Sequence, residues 1–274
     1  MITGSLIFDG VDLRSTYGAY IADGGCVDVP CFPGLKSPDI NDWYEYDGIE
    51  ADLSSPCVES QEITVDMRMA GSLEDLDAFV SFVKGKRFRT VGFPDLSRTI
   101  KLRIGSVRKS GIDYGLYRIE IKMFNDSPRD GLSYVQQTSA SRQSGVLVDG
   151  VDLGAYGIIL TGSVDGLFPE SEVKENLLNE SNHHDGEIHS EIDSKVACDH
   201  DDLSFSCVMR SSDVDDFWNK RDALFLDLIK PGEREIAYNG RNVLGYYKDC
   251  RPRYFSYYGR MWWEFELTFG YIGE

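Results

Sequence analysis

All four histidines of the chain fall between positions 183 and 200, as His183-His184, His189 and His200, beside Cys198 and Asp199. These are metal-ligand residue types, and zinc takes Cys and His at fixed short spacings. No such spacing is met here, so the segment reads as a solvated loop and no metal is expected. Carboxylates are abundant, and a glycosidase needs two of them flanking one bond. Asp9-Gly10 and Asp149-Gly150 sit instead in a strand-and-turn context, where Asp-Gly serves backbone geometry. The chain holds no GxSxG, HExxH, Walker A or GxGxxG sequence. No cofactor and no enzymatic activity are expected. The densest aromatics are Tyr254-Phe255-Ser256-Tyr257-Tyr258 and Trp262-Trp263. With scattered acids they suit a second reading, a carbohydrate-binding module, whose mark would be Trp262 and Tyr257 on one open face.

The elements that must carry these residues show a repeat. Phe8-Asp9-Gly10-Val11-Asp12-Leu13 with Tyr17-Gly18 returns as Val148-Asp149-Gly150-Val151-Asp152-Leu153 with Tyr156-Gly157, near the midpoint of 274 residues. An irregular stretch follows each copy, 23–60 and 162–200. Next comes a period-two alternation, Ile63, Val65, Met67, Met69 in one copy and Leu203, Phe205, Cys207, Met209 in the other, as in half-buried strands. Ser72 and Ser212 then predict helix N-caps ahead of carboxylates. The helices bring Leu73, Leu76, Phe79, Val80, Val83 and Val214, Phe217, Trp218, Phe225, Leu228 inward, and stop near Gly85 and Gly232. A hairpin follows each, around Pro94-Asp95 and around Asn239-Gly240, the latter a strong turn signal. A final strand closes each copy, with Met261, Trp263, Phe265 and Leu267 facing the core. The predicted fold is α+β and mainly β: two tandem units, 1–135 and 145–274, joined by a polar linker at 136–144.

Composition fits this picture. The hydrophobic fraction of 42% suits a core-forming protein. No apolar run approaches the roughly 20 residues of a membrane span, and Met1 to Ser5 lack the basic and apolar regions of a secretory signal. The six cysteines form no CxxC pair and read as free or buried thiols. A net charge of −18 opposes a general nucleic-acid-binding surface. It is unevenly placed: residues 163–202 hold twelve carboxylates against two lysines, and residues 84–109 hold nine Lys/Arg against Asp95.

In the order of elements, and most specifically over Phe8 to Gly18 and Val148 to Gly157, the chain resembles the tail tube and distal tail proteins of long-tailed bacteriophages. Their N-terminal signature is similar to F-x-G-V-D-L-x-x-Y-G. The resemblance implies a β-sandwich or partial barrel with one flanking helix in each unit. It implies a structural component of a phage or prophage tail, assembled in the bacterial cytoplasm, that forms a ring and joins tail tube to baseplate. Its partners are then itself and other tail tube and baseplate proteins, with DNA only as cargo through the channel and no membrane contact. The chain departs from the usual distal tail layout, whose second domain is unlike its first, which leaves open a trimer of two-unit chains or a hexamer. Open sheet edges would supply the contacts, with Lys86, Arg87 and Arg89 of the basic hairpin meeting the acidic insert across a subunit boundary. Trp262, on the face opposite Trp263, is the aromatic candidate for a partner contact.

Overall fold

The computed structural model describes residues 4–43, 46–138, 142–162, 172–174, 178–179, 183, 185, 188–189, 197–199, 201–257 and 259–273. The first half opens with β1 (Ile7–Phe8), β2 (Val11–Asp12), α1 (Leu13–Tyr17) and β3 (Ala19–Ile21). A long insert carries the small pair β4 (Ile40–Asn41) and β5 (Glu50–Ala51). Then come β6 (Gln61–Ala70), α2 (Leu73–Lys84), β7 (Phe88–Phe93), β8 (Arg98–Asp113) and β9 (Leu116–Asn125). One seven-stranded sheet results, in the order β2-β1-β7-β8-β9-β6-β3, with every pairing antiparallel.

The second half runs β10 (Val146–Val148), β11 (Val151–Asp152), a 3-10 turn (Leu153–Tyr156) and β12 (Ile158–Leu160). Its insert holds two small pairs, β13 (Glu172–Val173) with β16 (Cys198–Asp199) and β14 (Leu178–Asn179) with β15 (Ile188–His189). After β17 (Leu203–Ser211), α3 (Val214–Leu228), β18 (Arg234–Tyr238), β19 (Arg241–Ser256) and β20 (Met261–Gly273), the sheet order is β11-β10-β18-β19-β20-β17-β12. Position for position this is the order of the first sheet. Mainly antiparallel sheet with a few helices is the predicted class.

Alternation along the long strands decides which face is buried. Ile63, Val65, Met67 and Met69 are fully buried, and their counterparts Leu203, Phe205, Cys207 and Met209 nearly so. Trp263, Phe265 and Leu267 face inward as predicted. Each large side chain so removed from water contributes about 1.5–3 kcal/mol. Helix α2 starts with a capping box, in which Ser72 and Asp75 satisfy each other's backbone N–H. In α3 the N-cap is Asp213 rather than Ser212, because the Asp213 carboxylate takes the N–H groups of Asp215 and Asp216. Leu73, expected inward, is 61% exposed.

The sheet flanks differ from the open edges expected. The outermost strands of both sheets are only two or three residues long. In the first half Gly4 forms an antiparallel bridge with Ile21, and Ile21 N donates to Gly4 O at 3.0 Å. The extension N-terminal to β1, the strand paired with β7, thus reaches β3, and α1 spans the gap, so the sheet curls into a partial barrel with little free edge. One flank stays unpaired. Beyond Ile104, whose N–H still reaches Arg87 O at 2.7 Å, the backbone of β8 pairs only with β9 among the described residues.

Candidate interaction site

The repeated motif builds the same clasp in each half. Asp9 and Gly10 both take positive φ, 50° and 84°, as do Asp149 and Gly150 at 50° and 77°. That is the type I′ turn, which demands Gly at its second position. With the turn so made, the Asp9 carboxylate accepts from Thr90 N at 2.9 Å and from Arg89 Nη1 at 2.8 Å. Asp149 accepts from Glu235 N at 2.9 Å and from Arg234 Nη1 at 2.6 Å. Both arginines are buried, and both reach on to carbonyls at the end of their own helix. Arg89 donates to Phe82 O in the last turn of α2; Arg234 donates to Asp227 O at 3.3 Å in the last turn of α3, and to Pro231 O at 2.8 Å and Gly232 O at 3.0 Å just past it. The helix C-terminus leaves carbonyls without intrahelical partners and carries partial negative charge, so a cation is stabilised there. The Thr90 amide and the Arg89 guanidinium, with help from Lys86, hold the Asp9 carboxyl down at about 2. Asp12 and Asp152 then cap the next turn, accepting from Arg14 N at 2.8 Å and Gly154 N at 2.6 Å.

This geometry places the four sequence-predicted contact residues. Arg89, at 3% exposure, belongs to the interior and is occupied by its own chain. Lys86 is exposed, with its ammonium 3.1 Å from Asp9. Arg87 is exposed beside the Phe88 ring. Trp262 is half-buried on the outer face of β20, where Arg210 stacks on it and Glu264 accepts its indole N–H at 2.7 Å. Lys86 and Arg89 thus converge on Asp9, whereas the contacts of Trp262 are with Arg210 and Glu264 of the second half. Much of the basic hairpin is paired within the chain: Arg98 with Asp222, Arg103 with Asp126, Arg108 with Glu120 and Lys109 with Asp77. Most of the acidic insert expected opposite it lies outside the described residues.

A second arrangement went unpredicted: the first half's insert laps over the second half. The Phe32 ring stacks on Phe225 at 5.1 Å and meets Trp263 edge-on at 5.4 Å, between α3 and the second sheet. Arg221, 4% exposed on α3, donates to Pro30 O at 3.0 Å and Cys31 O at 2.8 Å. Burial depresses its pKa, and neighbouring Asp222 opposes that shift. Tyr247 OH donates to Pro33 O at 2.9 Å, and Leu35 N to Lys248 O at 2.9 Å along the flank of β19. Trp218 donates its indole N–H to Leu96 O at 2.7 Å. Further along, Ile49 N donates to Ile272 O at 3.0 Å, and a Cβ on Gly48 would stand 1.7 Å from that oxygen. The buried Lys174 reaches across to Asp42 at 2.5 Å. One hydrophobic cluster therefore runs through both halves.

The remaining candidates resolve simply. Tyr257 leans on Phe255 against the core, while Trp262 lies in the outer row with Arg210, so the two rings share no open platform. A cavity of about 460 Å³ lies where Arg98, Lys101 and Asp126 of the first half approach Trp218 and Arg221. Both Asp126 oxygens there are held by Arg103, at 2.7 and 3.0 Å, which lowers the carboxyl's pKa and suits it poorly as an acid. Among the described residues no group of three or more His, Cys, Asp or Glu stands close enough to hold a metal; His184 and His200 lie outside them. Among the described residues no helix is long and apolar enough to cross a membrane.

No family model and no curated protein matches the chain. Among solved structures it is similar to the crystal structure of the SPP1 Dit (gp 19.1) protein, described as a paradigm of the hub adsorption apparatus in Gram-positive infecting phages. The identity is 11%, the match covers 98% of each chain, and the TM-score is 0.36.

Proposed function

We propose that this chain is a structural, non-enzymatic component of a bacteriophage or prophage tail, a ring-forming protein of the distal tail type that joins the tail tube to the baseplate. The observation that carries the reading is the repeat of one strand order, with the same Asp-Gly clasp and one flanking helix, in both halves. The motif that builds the clasp is the segment that resembles the tail tube and distal tail signature. Residues 1–135 and 145–274 are on this view copies of one ancestral unit, joined at 136–144. Three chains then supply six units to a ring, or six chains supply twelve. A net charge of −18 suits a conduit that does not grip passing DNA. The test is the mass of the purified full chain over a range of concentrations, with negative-stain images. Rings with a central hole wide enough for duplex DNA are expected, and the mass chooses between trimer and hexamer. A monodisperse monomer at every concentration would overturn the reading.

A further inference from the structure

The two halves meet head to tail. On one side stands the face of α3, with Trp218 and Asp222. On the other stands the start of β8, where Arg98 pairs with Asp222 and lies 4.3 Å over the Trp218 ring. A two-fold contact would repeat this with α2 against the start of β19. It is not repeated. Asp77 on α2 pairs with Lys109 of its own hairpin, and Leu73 and Ala78 are exposed. Asn239, Gly240 and Arg241 are exposed as well, and Arg241 has no carboxylate partner among the described residues.

These unused surfaces are the counterparts of the used ones. Asp77-Ala78 matches Asp222-Ala223 at a shift of 145 residues, which puts Leu73 in the place of Trp218 and Val80 in that of Phe225. Arg98 opens β8 opposite Phe93, and Arg241 opens β19 opposite Tyr238. The Asp222–Arg98 pair thus has both of its counterparts, Asp77 and Arg241, on the molecular surface. Beside α2 lies the unpaired flank of β8, whose counterpart on β19 is covered at Lys248 by Leu35.

We propose that the α2 face bearing Leu73, Asp77 and Val80 receives the β18–β19 turn of a second copy of this chain, with Arg241 pairing to Asp77 as Arg98 pairs to Asp222. This deepens the ring reading above by naming the surfaces through which one chain meets the next. A head-to-tail contact of this kind closes into a ring when its rotation allows. For chains of like net charge, an arginine meeting an acidic helix face fixes partner and register. Leucine in place of tryptophan makes the contact between chains smaller than the one inside the chain, so assembly depends on concentration.

The test uses the full chain. Asp77→Arg and Arg241→Asp should each weaken self-association by about tenfold or more in sedimentation velocity, and the double variant should restore it. Leu73→Asp, which leaves the Asp77–Lys109 pair alone, should weaken it likewise. In a Cys57→Ser background, differently tagged Asp77→Cys and Arg241→Cys chains should form an interchain disulfide when mixed and oxidised. If rings form unchanged in every variant and no crosslink appears, the proposed surface is wrong while the ring reading stands. If the unmodified chain never associates, both fall.

Discussion

At the scale of single residues, the repeated motif explains itself without chemistry on a substrate. An Asp in the left-handed region turns the chain, and its carboxylate then holds a buried arginine against a helix end. Asp9→Asn removes the anion that faces the buried Arg89; because Asp9 itself is exposed, the cost should be about 1–3 kcal/mol, and urea unfolding at neutral pH checks this. The folded pKa of Asp9 lies below the unfolded carboxyl value of about 4. Its stabilisation is therefore complete above pH ~4 and is lost as the pH falls toward 2. In Asp9→Asn that part of the acid dependence should vanish. The thiols offer an independent check. Burial pushes Cys26 up to about 12 and Cys207 well above the ordinary thiol range. Iodoacetamide at pH 8, read by mass spectrometry, should label the exposed Cys57 in the native protein and spare Cys26 and Cys207 until it unfolds.

At the scale of elements, the strongly periodic segments were legible in the sequence. The alternations in β6, β17 and β20 fix their buried faces, because neighbouring side chains point to opposite sides. Asn239-Gly240 fixes its turn through backbone geometry alone. What escaped has no local period. The short helix α1 and the turn at Leu153–Tyr156 are too brief to show one. The bridge of Gly4 to Ile21, and with it the curled sheet, depends on contacts between chain-distant strands. Arg89 and Phe32 look alike from the sequence, as one residue in a basic run and one in a polar loop, yet both are buried. For Phe32 no specific signal was available: its Phe-Pro pair recurs at 93–94 and at 168–169, the last outside the described residues. Phe32→Ala should cost about 3–5 kcal/mol, since it opens a cavity among Phe225, Tyr247 and Trp263. Denaturant unfolding followed by tryptophan fluorescence measures it.

At the scale of the whole molecule, a repeat in sequence does not make two independent bodies here. The insert of the first half completes the core of the second, so the halves share packing that neither holds alone. Residues 145–274 expressed by themselves should expose the Phe225–Trp263 seat, bind a hydrophobic dye and aggregate. Co-expression with residues 1–135 should suppress both. If the isolated half behaves as a well-folded monomer, the seat closes without Phe32 and the coupling is weaker than the packing indicates. The two sheets divide the chain near its midpoint, while the packing that stabilises them does not.

The order of synthesis gives Phe32 a further consequence. Phe225 follows it by 193 residues, and at roughly 5–20 residues per second a ribosome takes about 10–40 s to deliver that ring. Once Asn125 has been made, the nascent first sheet can be complete for the last 100 residues of that interval while its aromatic plug has nowhere to go. A bound chaperone, or the plug of a neighbouring nascent chain, competes for the same time window. Slowing translation between the two positions should therefore raise the fraction of chains that misassemble before they finish.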